Sequence, residues 1–118
     1  MIEIYGLKTC DSCRKALQLL QTGGAAHRFH DLRADGLPAG QLARWLDTVG
    51  WESLLNRRST TWRGLPKAEK AGLDAAAAAR LLAQHPTLIK RPVIEAAGQI
   101  IVGFAPPQQR ALKVLMAA

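Results

Sequence analysis

The sequence predicts a small α/β domain: a βαβ unit, an inserted run of short helices, then a β-hairpin and a closing helix. Three observations carry this expectation. Apolar residues at Cys13, Ala16, Leu17 and Leu20 recur at i, i+3, i+4 and i+7 just after a short β-type stretch, the period of one helix face. Val93-Ile94-Glu95 and Ile100-Ile101-Val102 flank Ala97-Gly98-Gln99 and read as an antiparallel hairpin. The 118 residues suit one domain over 1–118, large enough to bury a core without disulfides or a metal.

Taken in order, Ile2, Ile4 and Tyr5-Gly6 form a first strand that ends in a turn ahead of two cysteines. The helix that follows is closed by Gly23-Gly24, as a C-cap would close it. A second strand spans roughly 27–32, and the strand-helix-strand order implies a right-handed crossover. Residues 37–85 are helical in character and form an inserted subdomain. Within them Pro38 opens a helix whose inner face is Leu42, Trp45, Leu46 and Val49, and Gly50 ends it. Asp74 caps the alanine-rich run 75–82, which stops before His85-Pro86 because the residue preceding proline avoids helical angles. The last helix starts near Pro106-Pro107 and turns Ala111, Leu112 and Leu115 inward. The sheet is therefore small and mixed.

Hydrophobic residues make up 48% of the chain and charged ones 21%, which excludes a disordered or fibrous protein. No apolar run approaches the roughly 20 residues needed to span a membrane. The start, Met1-Ile2-Glu3-Ile4-Tyr5, lacks the basic and apolar regions of a signal peptide, so the cytoplasm is the expected location. The net charge is +7, and its distribution is informative. Between Ser53 and Pro92 the bases Arg57, Arg58, Arg63, Lys67, Lys70, Arg80, Lys90 and Arg91 face only Glu69 and Asp74. Such a window suits an anionic substrate, an acidic protein surface or a solvated face. Nucleic acid is disfavoured, because no nucleic-acid motif accompanies it.

The chemistry centres on Cys10 and Cys13, in Thr9-Cys10-Asp11-Ser12-Cys13-Arg14-Lys15. A thiol reacts as its thiolate, and a helix N-terminus favours that form through unpaired N–H groups and the macrodipole. Lys8, Arg14 and Lys15 add positive charge and Asp11 opposes it. Cys10 is thus the expected nucleophile. Cys13, one turn on, is placed to attack a mixed disulfide at Cys10 and release its partner; the alternative is a plain core residue. A zinc site of Cys10, Cys13, His27 and His30 has near-finger spacing, but histidines three apart on a strand point to opposite sides. The short loop between the cysteines disfavours a purely structural disulfide. His27, His30 and His85 read as structural or surface residues. No metal or bound cofactor is expected.

These residues resemble the arsenate reductase ArsC-like family of the thioredoxin superfamily, which includes the Spx regulators and the YffB-type proteins. The resemblance rests on Ile4-Tyr5-Gly6 leading to Cys10, on His85-Pro86 with Ile89-Lys90-Arg91-Pro92-Val93-Ile94, and on Val102-Gly103-Phe104. The YffB-type subgroup is the nearer likeness, through Phe29-His30-Asp31, Asp35-Gly36-Leu37, Gly50-Trp51-Glu52, Leu54-Leu55-Asn56 and Thr60-Thr61-Trp62. The resemblance implies a thioredoxin-like fold in which an Arg-Pro loop, with Pro92 cis, faces Cys10. In arsenate reductases of this type a cysteine attacks arsenic, three arginines hold the oxyanion, and glutathione and glutaredoxin supply electrons. Cys10 and Arg91 match. Asn56, beside Arg57 and Arg58, stands where a second arginine is expected, and Phe104 lies near the third, which makes arsenate a doubtful substrate. The subgroup implies a glutathione-linked thiol reductase in which Arg58 and Arg91, with Arg57, Lys8 and Pro92 nearby, hold an anionic group. Glutathione is then the co-substrate and glutaredoxin a candidate partner of an expected monomer. The Cys-x-x-Cys-Arg-Lys-Ala run is shared with Spx regulators, which bind RNA polymerase, and keeps that second reading open.

Overall fold

A computed structural model describes residues 1–38 and 40–117. In chain order the elements are β1 (Ile2–Gly6), α1 (Asp11–Thr22), β2 (His27–Asp31), α2 (Gln41–Val49), α3 (Trp51–Leu54), α4 (Thr60–Arg63), α5 (Lys67–Lys70), α6 (Ala75–Gln84), a 3₁₀ turn (Pro86–Leu88), β3 (Val93–Ala96), β4 (Gln99–Val102) and α7 (Pro106–Ala117). They fall into two units, one of Met1–Asp35 with Arg91–Ala118, the other Gly36–Lys90.

The first unit holds a four-stranded mixed sheet in the order β2-β1-β3-β4. β1 pairs in parallel with β2 and antiparallel with β3, which pairs antiparallel with β4. Alternation along the strands sends Ile2, Ile4, Ile94 and Ile101 to one face, where Ala16 and Leu20 of α1 and Leu112 of α7 cover them. The end of α1 is a Schellman closure: Ala25 N–H reaches Leu20 O at 3.0 Å, Gly24 N–H reaches Gln21 O at 3.1 Å, and Gly24 takes the left-handed angle, φ +68°.

The second unit is helical. Trp45, Leu54, Leu82, Leu88 and Ile89 are fully buried in it. α2 begins at Gln41 rather than at Pro38: Pro38 sits one turn ahead, where its carbonyl accepts Gln41 N–H at 3.1 Å, and Gly40 is the N-cap. The proline organises the entry to the helix without belonging to it. Asp74 caps α6 as its position predicts, its Oδ1 accepting Ala77 N–H at 2.8 Å.

In the β3–β4 hairpin, Ala96 pairs with Gln99 across two turn residues. Ala97 (φ 51°) and Gly98 (φ 76°) are both left-handed, the pattern of a type I′ turn. A Cβ in that region is unfavourable, and Asn tolerates it better. Ala97→Asn is expected to raise stability by about 0.5–1 kcal/mol, read as a higher urea midpoint at unchanged m-value.

Candidate active site

The sheet register decides what meets at the carboxyl end of β1. Tyr5 opposes Val93, so the residues just before β3, Arg91 and Pro92, lie at the sheet end where β1 runs into the loop 7–9 and α1. The Arg91–Pro92 peptide is cis, and Pro92 is buried, its carbonyl accepting Gly103 N–H at 2.9 Å. On the other side of β1, Gly6 opposes Asp31. Three chain segments therefore converge on the start of α1.

Cys10 is the N-cap of α1, with extended backbone angles and no side-chain capping bond; its N–H is held by Leu7 O at 3.1 Å and its carbonyl accepts Arg14 N–H at 3.0 Å. The sulfur is thus left to act as an acceptor rather than a cap. Partial burial opposes ionisation of the Cys10 thiol, but hydrogen bonds from the Cys13 N–H, the Cys13 thiol and the Arg91 guanidinium, with the Arg91 charge, outweigh it and lower its pKa. Cys13 is the opposite case. It has 0% exposure, and burial, with the nearby Cys10 charge adding to it, pushes its thiol up to about 12 against a bond from Leu7 N–H. One thiol is eased toward ionisation and the other is held as a thiol that donates to it. No disulfide joins them.

The remaining sequence candidates sort themselves. Arg14 pairs with Asp11, both well exposed, so the two charges beside Cys10 largely answer one another. Lys8 is exposed, and its N–H and charge act on Asp31. Asp31 accepts N–H bonds from Ala34 at 2.9 Å and Arg33 at 2.8 Å. The Ala34 bond leads, burial opposes, and the Arg33 and Lys8 contributions help to hold its carboxyl below the usual range. Arg57 and Arg58 belong to the helical unit. The Arg57 guanidinium stands 6.0 Å from the ring centroids of both Trp51 and Trp62, and Asn56 Oδ1 accepts Arg58 N–H at 3.0 Å, which occupies the asparagine within its own turn. His27 Nδ1 lies 2.8 Å from Ala25 O, and His30 Nε2 lies 2.7 Å from Glu3 Oε2 with its ring stacked on Tyr5 at 4.5 Å.

Two residues escaped the sequence reading. Asp31, a buried carboxylate that ties the end of β2 to the loop before α1, appeared there only inside the Phe29-His30-Asp31 motif. Gly6, which borders the Cys13 sulfur, shows in the sequence only as the end of a strand. Neither carries a sequence signal by itself, because each acts through a neighbour brought in by the sheet.

A sequence model of the ArsC family matches residues 5–112. An uncharacterised protein of Haemophilus influenzae is 45% identical over 104 residues, 88% of this chain and 91% of that protein. The global transcriptional regulator Spx of Streptococcus pneumoniae is 26% identical over 113 residues, 94% of this chain and 84% of Spx. Among solved structures, a YFFB protein superposes with a TM-score of 0.87 at 42% identity, covering 94% of this chain and 97% of its own. An arsenate reductase (ArsC) related protein from Brucella melitensis gives 0.75 at 45% identity, covering 93% and 92%.

The site geometry makes a pH prediction. Alkylation of Cys10 follows its thiolate, so the rate is expected to rise with pH at a midpoint below that of an ordinary thiol and to be flat above it. Arg91→Ala removes a charge-assisted bond to that thiolate; the midpoint moves up and alkylation at pH 7 slows about tenfold. Iodoacetamide kinetics across pH, with Cys13→Ser as the control for site, measure both.

Proposed function

The chain belongs to the ArsC family, and from that premise we propose that it is a thiol-dependent oxidoreductase in which Cys10 is the nucleophile and glutathione the co-substrate. The single observation that carries this reading is that Cys10 caps α1 at the sheet end to which the register brings Arg91 and the cis Pro92, where the Cys13 N–H, the Cys13 thiol and the Arg91 guanidinium act on its sulfur. These donors favour the reactive thiolate.

The reaction runs in two exchanges. The Cys10 thiolate attacks one sulfur of a substrate disulfide; an S–S bond forms to Cys10, the substrate S–S bond breaks, and the leaving sulfur departs as thiolate and takes a proton. The mixed disulfide then has two fates. Cys13 loses its proton, attacks the Cys10 sulfur and releases the second substrate thiol, leaving a Cys10–Cys13 disulfide that two glutathione thiols reduce as they become glutathione disulfide. Alternatively, a glutathione thiolate attacks the substrate sulfur of the mixed disulfide; a new S–S bond forms to glutathione, the bond to Cys10 breaks, and Cys10 leaves as the thiolate. The full burial of Cys13 disfavours its ionisation, which supports the direct route. Arg91 is proposed to hold an anionic group of the substrate or of glutathione beside Cys10. Lys8 is proposed as a secondary anion contact; Arg58 and Arg57 belong to the helical unit, where two indole rings flank Arg57.

Arsenate reduction is the weaker assignment, since Asn56 and Phe104 stand where the resemblance expects arginines. A regulator's role has a specific observation in its favour: the Cys10–Cys13 pair together with the Spx relative at 26% identity. Oxidised and reduced protein differing in capture of RNA polymerase, without thiol turnover, would favour that reading.

The deciding assay is reduction of a glutathione–mercaptoethanol mixed disulfide, recycled with glutathione. Cys10→Ser is expected to lose at least about 10³-fold in kcat/KM, whereas Cys13→Ser keeps most of the turnover and accumulates protein glutathionylated at Cys10. Full activity in Cys10→Ser would overturn the assignment.

A further inference from the structure

We propose that Gly6 is a positioning residue for the thiol pair: by lacking a side chain it provides the slot that seats the Cys13 sulfur against β1 and beside Cys10. The functional meaning of this inference rests on the reading of Cys10 as nucleophile.

Gly6 is not a glycine required by its backbone. It sits within β1, paired with Asp31, its carbonyl accepts Leu32 N–H at 2.8 Å, and its φ is outside the left-handed region. Any residue can adopt that conformation. What glycine alone allows is close approach. A methyl group at position 6 would overlap the Cys13 sulfur and stand 3.3 Å from Cys13 Cβ, while its next neighbour, Phe29 Cε1, is at an ordinary 3.8 Å. The conflict is therefore with the Cys13 side chain, and chiefly with its sulfur.

The slot also fixes what the sulfur can do. Leu7, the next residue, gives its N–H to Cys13 and its carbonyl to Cys10 N–H. Gly6 and Leu7 together thus hold Cys13 from beneath while its thiol and N–H point at the Cys10 sulfur. Cys13 is the third residue of α1, so its backbone cannot retreat without moving the helix start that carries Cys10. An added Cβ at position 6 must turn the Cys13 side chain away or push the helix out, and in either case Cys10 loses the thiol donor.

The test is a double-mutant cycle of Gly6→Ala and Cys13→Ala in the full chain, with the ultraviolet absorbance of the Cys10 thiolate followed against pH, alkylation rate at pH 7, and melting by circular dichroism. In the parent chain Gly6→Ala is expected to move the Cys10 midpoint up and to slow alkylation about three- to tenfold, the scale of one hydrogen bond. In the Cys13→Ala background, where the sulfur is gone, the same substitution is expected to change neither. A shift of equal size in both backgrounds, or a lower melting temperature with an unmoved midpoint, would overturn the proposal. Should Gly6→Ala alone fail to fold, recovery of a folded protein in the double variant supports the slot and failure to recover refutes it. The titration is read without turnover, so an absence of reductase activity would sink the proposed function while leaving this result legible.

Discussion

β1 is hydrogen-bonded on both sides, in parallel to β2 and antiparallel to β3, and the rest of the site depends on that double pairing. A central strand has no free edge along which to slip, and a slip of one residue would exchange its two faces. With Ile4 fixed opposite Phe29 and Ile94, the carboxyl end of the strand, the Asp31 carboxylate and the Arg91–Pro92 peptide arrive at one place. The cysteines acquire their environment from this register, since a CxxC sequence at a helix start specifies neither Arg91 nor the floor beneath Cys13.

The two sulfurs are three residues apart and chemically far apart. Cys10, half-exposed, receives donors; Cys13, fully buried, is one of those donors. Burial raises both thiols in principle, and what separates them is where the polar groups point. Arg14, Lys15 and Lys8 crowd the same stretch of sequence, yet Arg14 is engaged by Asp11 and none of the three is among the groups that lower the Cys10 thiol. The cation that acts on Cys10 is remote in sequence, Arg91. Local charge was a poor guide to the field at the sulfur, and topology a good one.

Much of the fold was legible because its signals are local. The i, i+3, i+4 run fixed α1, the Gly23-Gly24 pair its end, Asp74 the start of α6, and two β-branched stretches the hairpin. Pro38 misled by one turn, since a proline that opens a helix and a proline that precedes a glycine N-cap look alike in one dimension. At the site, Cys10 and Cys13 could be read from a helix start, and Arg91 with a cis Pro92 only through family likeness. Asp31 and Gly6 were illegible for a common reason: a buried carboxylate and a missing side chain have meaning only once a neighbouring strand or helix is laid against them.

The full burial of Cys13 also bears on how the protein withstands oxidants. Cys13 has no exposure and Cys10 is partly exposed, so an oxidant meets Cys10 first. A single encounter would convert the Cys10 thiolate to sulfenic acid, and the Cys13 thiol hydrogen-bonded to it is positioned to condense with that group, expelling water and closing a reversible disulfide. Progress to sulfinic or sulfonic acid needs further encounters before that closure. Were Cys10 oxidised in this way, its buried neighbour would be the group that closes it into a reversible disulfide.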